Sequence, residues 1–235
     1  MADASARYEA LVELGRIVLG DSKLEDVMQR VAALAKASIG PVAEASVTLT
    51  RGREGWTVAT TGDLATVLDE TQYALGTGPC MDAGSGGQLV HIKDFLTDER
   101  FVEYGKRAYE LGGRSSLSVP LPMQGHTVAA LNLYAVEVDA FSDDDISLAE
   151  EFAAHAAVAL RNARLYEQAD EQAAQMREAM ASRAVIEQAK GVLIATTGCS
   201  PERAFDLLVA QSQRENRKLR EIAHDLVAQH TRTKE

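Results

Sequence analysis

Apolar positions recur every three or four residues over the first forty, and then the period changes. Tyr8, Leu11, Val12, Leu14 and Val18 make one helical stripe, and Val27, Val31, Leu34 and Ala35 make a second after Gly20. Asp21 or Ser22 can cap the second helix, with Glu25 three residues after Ser22, and Gly40-Pro41 ends it. Ala45, Val47 and Leu49 then alternate with Ser46, Thr48 and Thr50. Arg51-Gly-Arg-Glu-Gly55 turns the chain, and Trp56–Thr60 alternates again, which predicts a hairpin. Residues 62–88 are Gly-rich with short helical pieces. Leu89-Val-His-Ile92 is a short strand, and Asp98–Leu111 reads as a helix stopped by Gly112-Gly113. A second hairpin spans Ser115–Ala135. Leu117, Val119 and Leu121 alternate, Gln124-Gly125 turns, and Val128–Tyr134 returns. Helices, strands, a helical insertion and a final hairpin predict an α+β domain on an antiparallel sheet.

From Ser142 the pattern is helical and stays so, with no Gly or Pro before Gly191. Ser142 is a good cap, and Asp143, Asp144 and Asp145 sit at the positive end of the helix dipole. Ala149, Phe152, Ala156, Ala159, Ala163 and Tyr166 follow at spacings of 3, 4, 3, 4 and 3, a coiled-coil seam that loses phase at Asp170. Such a stripe serves either a helix packed on its own sheet or a helix paired with a second subunit. The two readings are compatible if the first turns pack on the sheet and the rest pair.

The last sixty residues read as a three-helix bundle. Val185, Ile186, Ala189, Val192, Leu193 and Thr196 form one apolar face, ended by Gly198. Ser200-Pro201-Glu202 starts the next helix, with Ala204, Phe205, Leu207 and Leu208 facing the core. Asn216 can cap a third helix, whose stripe is Leu219, Ile222, Ala223, Leu226 and Val227.

Charge sharpens this division. The 235 residues carry 24 Lys+Arg and 35 Asp+Glu, a formal net charge of −11. Residues 173–235 hold 10 cations and 8 carboxylates, while residues 1–172 hold 14 and 27. An acidic body with a mildly basic tail points to two modules with different partners. No apolar run is long enough to span a bilayer, and the first residues lack a basic region followed by an apolar core, so neither a membrane partner nor a secretory signal is expected. Two cysteines, Cys80 and Cys199, exclude a disulfide scaffold and fit a reducing cytoplasm. The five histidines show no ligand spacing, so no metal or cofactor is expected.

Candidate chemistry concentrates near the end of the chain. Arg214, Arg217, Lys218 and Arg220 fall within seven residues, and Arg217, Arg220 and His224 share a side of the third helix. Lys218 points elsewhere, near Asp225, and Lys190 borders the apolar face of the first helix. Guanidinium groups on a rigid bundle suit a phosphate backbone, and Gln211, Ser212, Gln213 and Asn216 can add neutral hydrogen bonds. On spacing alone the plainer account is a solvated charged face with Glu215 and Glu221 as local partners.

Residues 183–227 change that balance. Arg183-Ala-Val-Ile-Glu-Gln-Ala-Lys-Gly-Val-Leu-Ile194, Ser200-Pro-Glu-Arg-Ala-Phe-Asp-Leu-Leu208 and Ser212-Gln-Arg-Glu-Asn-Arg-Lys-Leu-Arg-Glu-Ile-Ala223 resemble an ANTAR domain. The resemblance implies a three-helix RNA-binding domain that holds paired hairpins of a nascent transcript and prevents a terminator from forming, generally as a dimer. The RNA-contact candidates, inferred from charge and helical geometry, are Lys190, Ser212, Gln213, Arg214, Asn216, Arg217, Lys218 and Arg220. Tyr73-Ala-Leu-Gly-Thr-Gly-Pro-Cys-Met-Asp-Ala83 and Ser118–Tyr134 resemble a GAF domain of the kind fused to ANTAR in actinobacterial regulators. That implies a sensory module with a pocket between the sheet and the Gly-rich segment, its signal an unspecified small molecule or protein. Where Thr77 stands, the subfamily usually has an acid. No receiver-type domain accompanies the two, so aspartyl phosphorylation is not expected.

The expected organisation is a GAF sensory domain over 1–165, a helical coiled-coil linker over 166–182 and an ANTAR domain over 183–235. The chain is expected to be a homodimer paired through the long helix. Cys80 is the candidate sensor thiol if its thiolate is stabilised, and otherwise a small buried hydrophobe. Two other readings follow from the same residues. One is a protein-interaction or redox-sensing regulator. The other is a Cys80-dependent sulfoxide reductase, which needs a resolving thiol.

Overall fold

The computed structural model describes residues 12–15, 23–51, 54–121 and 128–232. Tyr8, Leu11, Val18, the caps at Asp21 and Ser22, and the Gln124-Gly125 turn lie outside them. Residues 12–15 form a helical turn whose Leu14 is buried. The chain divides into two compact units, residues 1–167 and 168–235.

In the first unit, α1 (Leu24–Ser38) precedes the hairpin β1 (Glu44–Arg51) and β2 (Glu54–Thr60). Two helices, α2 (Asp63–Leu75) and α3 (Pro79–Gly86), lead to the short β3 (Val90–Ile92). Then come α4 (Val102–Glu110) and the hairpin β4 (Ser115–Leu121) and β5 (Val128–Ala135). The helix expected over 98–111 starts only at Val102, because the Asp98 carboxylate takes the Arg100 backbone N–H at 2.9 Å and holds a turn there. The five strands run in the order β2-β1-β5-β4-β3, every neighbouring pair antiparallel.

Through β1, β5 and β4 the sheet is buried on both faces. One face is apolar: Ala45, Val47, Leu117, Val119, Leu121, Leu131 and Leu133 join the core formed with α1 and with the start of α5 (Asp143–Thr197). The other face carries Ser46, Thr48, Thr50, Ser116, Ser118, Asn132 and Tyr134, all fully or almost fully buried. Helices α2 and α3 cover it, α2 against β1 and β2, α3 against β4 and β5. Two glycines permit close packing around these helices, Gly78 between α2 and α3 and Gly105 on α4. A Cβ at Gly78 would lie 2.4 Å from Gln72 Oε1, and one at Gly105 would lie 2.0 Å from the Phe95 carbonyl oxygen.

Helix α5 opens with a reciprocal cap. Ser142 Oγ accepts from the Asp145 backbone N–H at 3.3 Å, and the Asp145 carboxylate accepts the Ser142 N–H at 3.0 Å. Ala149, Phe152, Ala156 and Ala159 of the predicted seam are buried in the first unit's own core, with Ala163 packed at its margin. That part of the stripe is therefore spent within the domain.

In the second unit the last turns of α5 join α6 (Pro201–Glu215) and α7 (Leu219–Arg232). Ala189, Leu208, Ile222 and Ala223 form the small core, flanked by Val185, Ile186, Leu193, Leu219, Leu226 and Val227. Ser200 caps α6 through its hydroxyl, with Pro201 in the first turn. Two expectations change here. Phe205 and Leu207 are 42% and 37% exposed, because only Ala204 and Leu208 point inward and these two flank that narrow stripe on either side. Asn216 caps the end of α6 in the left-handed conformation (φ 51°) rather than the start of α7.

Candidate functional site

The polar face of the sheet converges on one carboxyl group. Asp69 of α2 is fully buried, and its Oδ1 accepts from the Tyr134 hydroxyl at 2.5 Å and from Asn132 Nδ2 at 3.3 Å. Its Oδ2 accepts from Thr57 Oγ1 at 2.8 Å, and that oxygen lies 3.1 Å from the Tyr73 hydroxyl. Asn132 stands between Ser46 on β1 and Ser118 on β4 in register, and its amide also reaches Ser46 Oγ at 3.1 Å. Burial pushes the Asp69 carboxyl up to about 6, with the hydroxyl and amide donors holding it back from rising further. Around this network the Thr50, Ser116 and Ser118 hydroxyls and Asn132 Oδ1 are buried without a partner among the described residues. Leaving such groups unpaired is costly in a purely structural core, so this face has spare hydrogen-bonding capacity.

Cys80 borders the same network. Its backbone N–H donates to Gln72 Oε1 at 2.8 Å, while Gln72 Nε2 donates to the Tyr134 hydroxyl at 3.1 Å. The side chain is fully buried beside Met81 and Ala130. Burial first, and then the nearby Asp69 charge, push its thiol well up, so the neutral SH dominates. Both cysteines are free, and Cys199 belongs to the other unit. The surroundings of Cys80 are those of the small buried hydrophobe, opposite to what a reactive thiolate requires.

In the second unit the basic candidates separate into paired and unpaired groups. Arg217, Arg220 and His224 do come together, lining a groove of about 460 Å³ with Glu178 and Ser182 of α5. Arg217 is held by Asp225 at 2.7 Å, Glu215 at 3.5 Å and Glu221 at 3.6 Å. Asp225, expected beside Lys218, is thus the partner of Arg217. Arg220 pairs with Glu178. Lys190 is mostly covered and pairs with Glu187 at 2.8 Å. Ser212 is committed to the loop, its hydroxyl donating to the Arg217 carbonyl while the Arg217 N–H donates to the Ser212 carbonyl at 3.1 Å. Gln213 and Asn216 are exposed. Arg214 and Lys218 are exposed and form no ion pair among the described residues.

A sensory-type α+β domain with a buried polar sheet face, followed by a basic helical bundle, defines a two-module regulator. The chain belongs to the GAF family, whose domain model matches residues 21–161, and it carries an ANTAR domain matched over residues 174–227. The ANTAR domain makes it an RNA-binding antitermination regulator, and the GAF domain is its sensory module. No curated protein matches the chain. Similar solved structures include a free methionine-R-sulfoxide reductase from Neisseria meningitidis in complex with its substrate (18% identity, TM-score 0.55, covering 71% of this chain and 94% of that one). The GAF domain of a phosphoenolpyruvate-protein phosphotransferase from Coxiella burnetii is similar at 19% identity and TM-score 0.53 (70% and 98% covered). The phycoerythrobilin-bound GAF domain of a cyanobacterial phytochrome is similar at 15% identity and TM-score 0.53 (68% and 96%). At these identities the likeness is one of fold. Among the described residues no helix is long and apolar enough to cross a membrane.

Proposed function

We propose that this protein is a signal-responsive regulator that binds paired hairpins in nascent transcripts and prevents transcription termination. One observation carries the reading: a single helix, α5, contributes Ala149 and Phe152 to the sensory core and Ala189 to the core of the basic bundle. A small-molecule or protein signal acts on the GAF domain, and the same helix carries its effect toward the RNA-binding end. For that to work the signal must bind two states of the domain with different affinity. Residues 1–165 sense, 166–182 form a pairing linker, and 183–235 bind RNA. Two copies pair through the long helix and so present two bundles to two hairpins. Lys190, Ser212, Gln213, Arg214, Asn216, Arg217, Lys218 and Arg220 are the contact set, and the protein works in the cytoplasm without catalysing a reaction. The test is to measure full-chain binding to a paired-hairpin RNA, to duplex DNA of the same sequence and to a scrambled RNA at several salt concentrations. Preference for the hairpin RNA is expected, and equal affinity for all three overturns the reading.

A further inference from the structure

Arg217 and Arg220 stand in one groove but are held in different ways. Three carboxylates, one from the end of α6 and two from α7, surround Arg217. The ion-pair partner of Arg220 is Glu178, 42 residues away in sequence, on the stretch of α5 that leads into the bundle. Glu178, Ser182 and Val185 follow at i, i+4 and i+7 and line the groove together. At about 100° per residue, Tyr166, Ala169, Ala173, Met176 and Met180 fall on the opposite side of the helix. Glu178 therefore faces Arg220 whether or not a partner covers that other side.

We propose that Arg220, flanked by Ser182 and His224, is a subsite for one RNA backbone phosphate, and that the Glu178 carboxylate occupies it when RNA is absent. This rests on the RNA-binding reading above. Carboxylate and phosphate oxygens take the same guanidinium fork, so the two exclude each other. The groove as it stands holds two guanidinium groups against the carboxylates of Glu178, Glu221 and Asp225, which opposes an incoming anion. Both partners of the Arg220–Glu178 pair are partly exposed, 37% and 61%, and exposed pairs are weak enough for a polyanion to displace. Arg217, tied three times, is not released by any single displacement. Glu178 thus sets how readily the bundle accepts RNA, from a position on the helix that comes from the sensory domain.

The test uses the full chain carrying Glu178→Gln. Its affinity for a paired-hairpin RNA is expected to rise about three- to fivefold, with a steeper dependence on salt. In an Arg220→Ala background the same substitution is expected to change nothing. Unchanged or weaker binding by Glu178→Gln overturns the proposal, as does an equal gain in the Arg220→Ala background, which would mark a general charge effect. Inorganic phosphate gives an answer independent of RNA. Titrated into Glu178→Gln, it is expected to shift the His224 ring resonances, and to leave them in place in Glu178→Gln/Arg220→Ala. No difference between the two variants overturns the subsite. A phosphate response without hairpin binding supports the subsite and removes the proposed RNA function instead.

Discussion

The Tyr134 hydroxyl donates to Asp69 Oδ1 at 2.5 Å, joining β5, the central strand of the sheet, to the first helix that covers its polar face. Two partners of this carboxylate come from strands on opposite sides of β1: Asn132 from β5 and Thr57 from β2. The sensory core is thus organised around an ionisable group that water does not reach. Its charge state affects α2, β2 and β5 together.

The Asp69 carboxyl gives this domain a definite pH response. Its ordinary value of 3.8 is raised to about 6 in the fold, so between these values the folded state binds more protons than the unfolded state. Stability therefore falls as pH rises from about 4 to 6 and is level above, by about 3 kcal/mol over the window for this group alone. Urea unfolding of the wild type and of Asp69→Asn across pH 4–7 checks this. The substitution is expected to flatten the decline, and Tyr134→Phe, which removes a donor to the carboxylate, to move its midpoint upward. An identical pH profile in Asp69→Asn would show that another group governs it.

Cys80 is expected to be silent toward thiol reagents in the native state. Its side chain is fully buried and its thiol held neutral, whereas Cys199 is partly exposed. A disulfide reagent should therefore titrate at most one thiol before unfolding and two after it. Cys80→Ala should leave RNA binding intact. Rapid native modification of Cys80, or turnover of a sulfoxide that Cys80→Ser abolishes, would return the redox readings to contention.

The order of elements was legible because period and punctuation agree along most of the chain. Gly40-Pro41, Gly112-Gly113 and Ser200-Pro201 mark real boundaries, and the strands alternate as predicted. The sensory network was not legible, because alternation of Ser46, Thr48 and Thr50 with apolar neighbours is the same whether water or a second layer of helices covers the polar face. The available clue was Asn132 and Tyr134 on the polar side of an otherwise aliphatic strand. Asp69 could not be singled out, since an acid within an amphipathic helix ordinarily faces solvent. At the other end, the clustering of Arg217, Arg220 and His224 followed from helical spacing, but their carboxylate partners did not. Glu178 lies a full helix away in sequence, and local spacing alone puts Asp225 beside Lys218.

Arg217 and Arg220 are expected to respond differently to removal. Arg217 ties the loop after α6 to α7 through Asp225 and Glu221, so Arg217→Ala should lower the Tm of the bundle as well as weaken RNA binding. Arg220→Ala should leave the Tm nearly unchanged, because its partner pair is exposed, while flattening the salt dependence of hairpin binding by about 0.7–0.9 in the log–log slope. Thermal unfolding and fluorescence anisotropy titrations at graded salt on both variants separate the roles. Slopes unchanged in both would mean that neither guanidinium meets a phosphate.

Among the described residues, α5 exposes a stripe of apolar side chains over 166–180. Tyr166, Met176 and Met180 are 59%, 68% and 67% exposed, and with Ala169 and Ala173 they repeat at 3, 4, 3 and 4. This seam is shifted from the earlier one: the step from Ala163 to Tyr166 is followed by another step of three, so the stripe rotates around the helix where Asp170 broke the first pattern. The rotation separates the turns used by the sensory core from those available to a second copy. Pairing two such helices would bury both methionines of each chain, and burying one such side chain is worth about 1.5–3 kcal/mol. Met176→Glu/Met180→Glu should therefore weaken self-association by more than about tenfold while leaving each unit folded. Sedimentation velocity over a concentration series, with circular dichroism as the check on folding, measures this. A dimer that survives both charges would have to be held elsewhere, and the linker would then be a connector only.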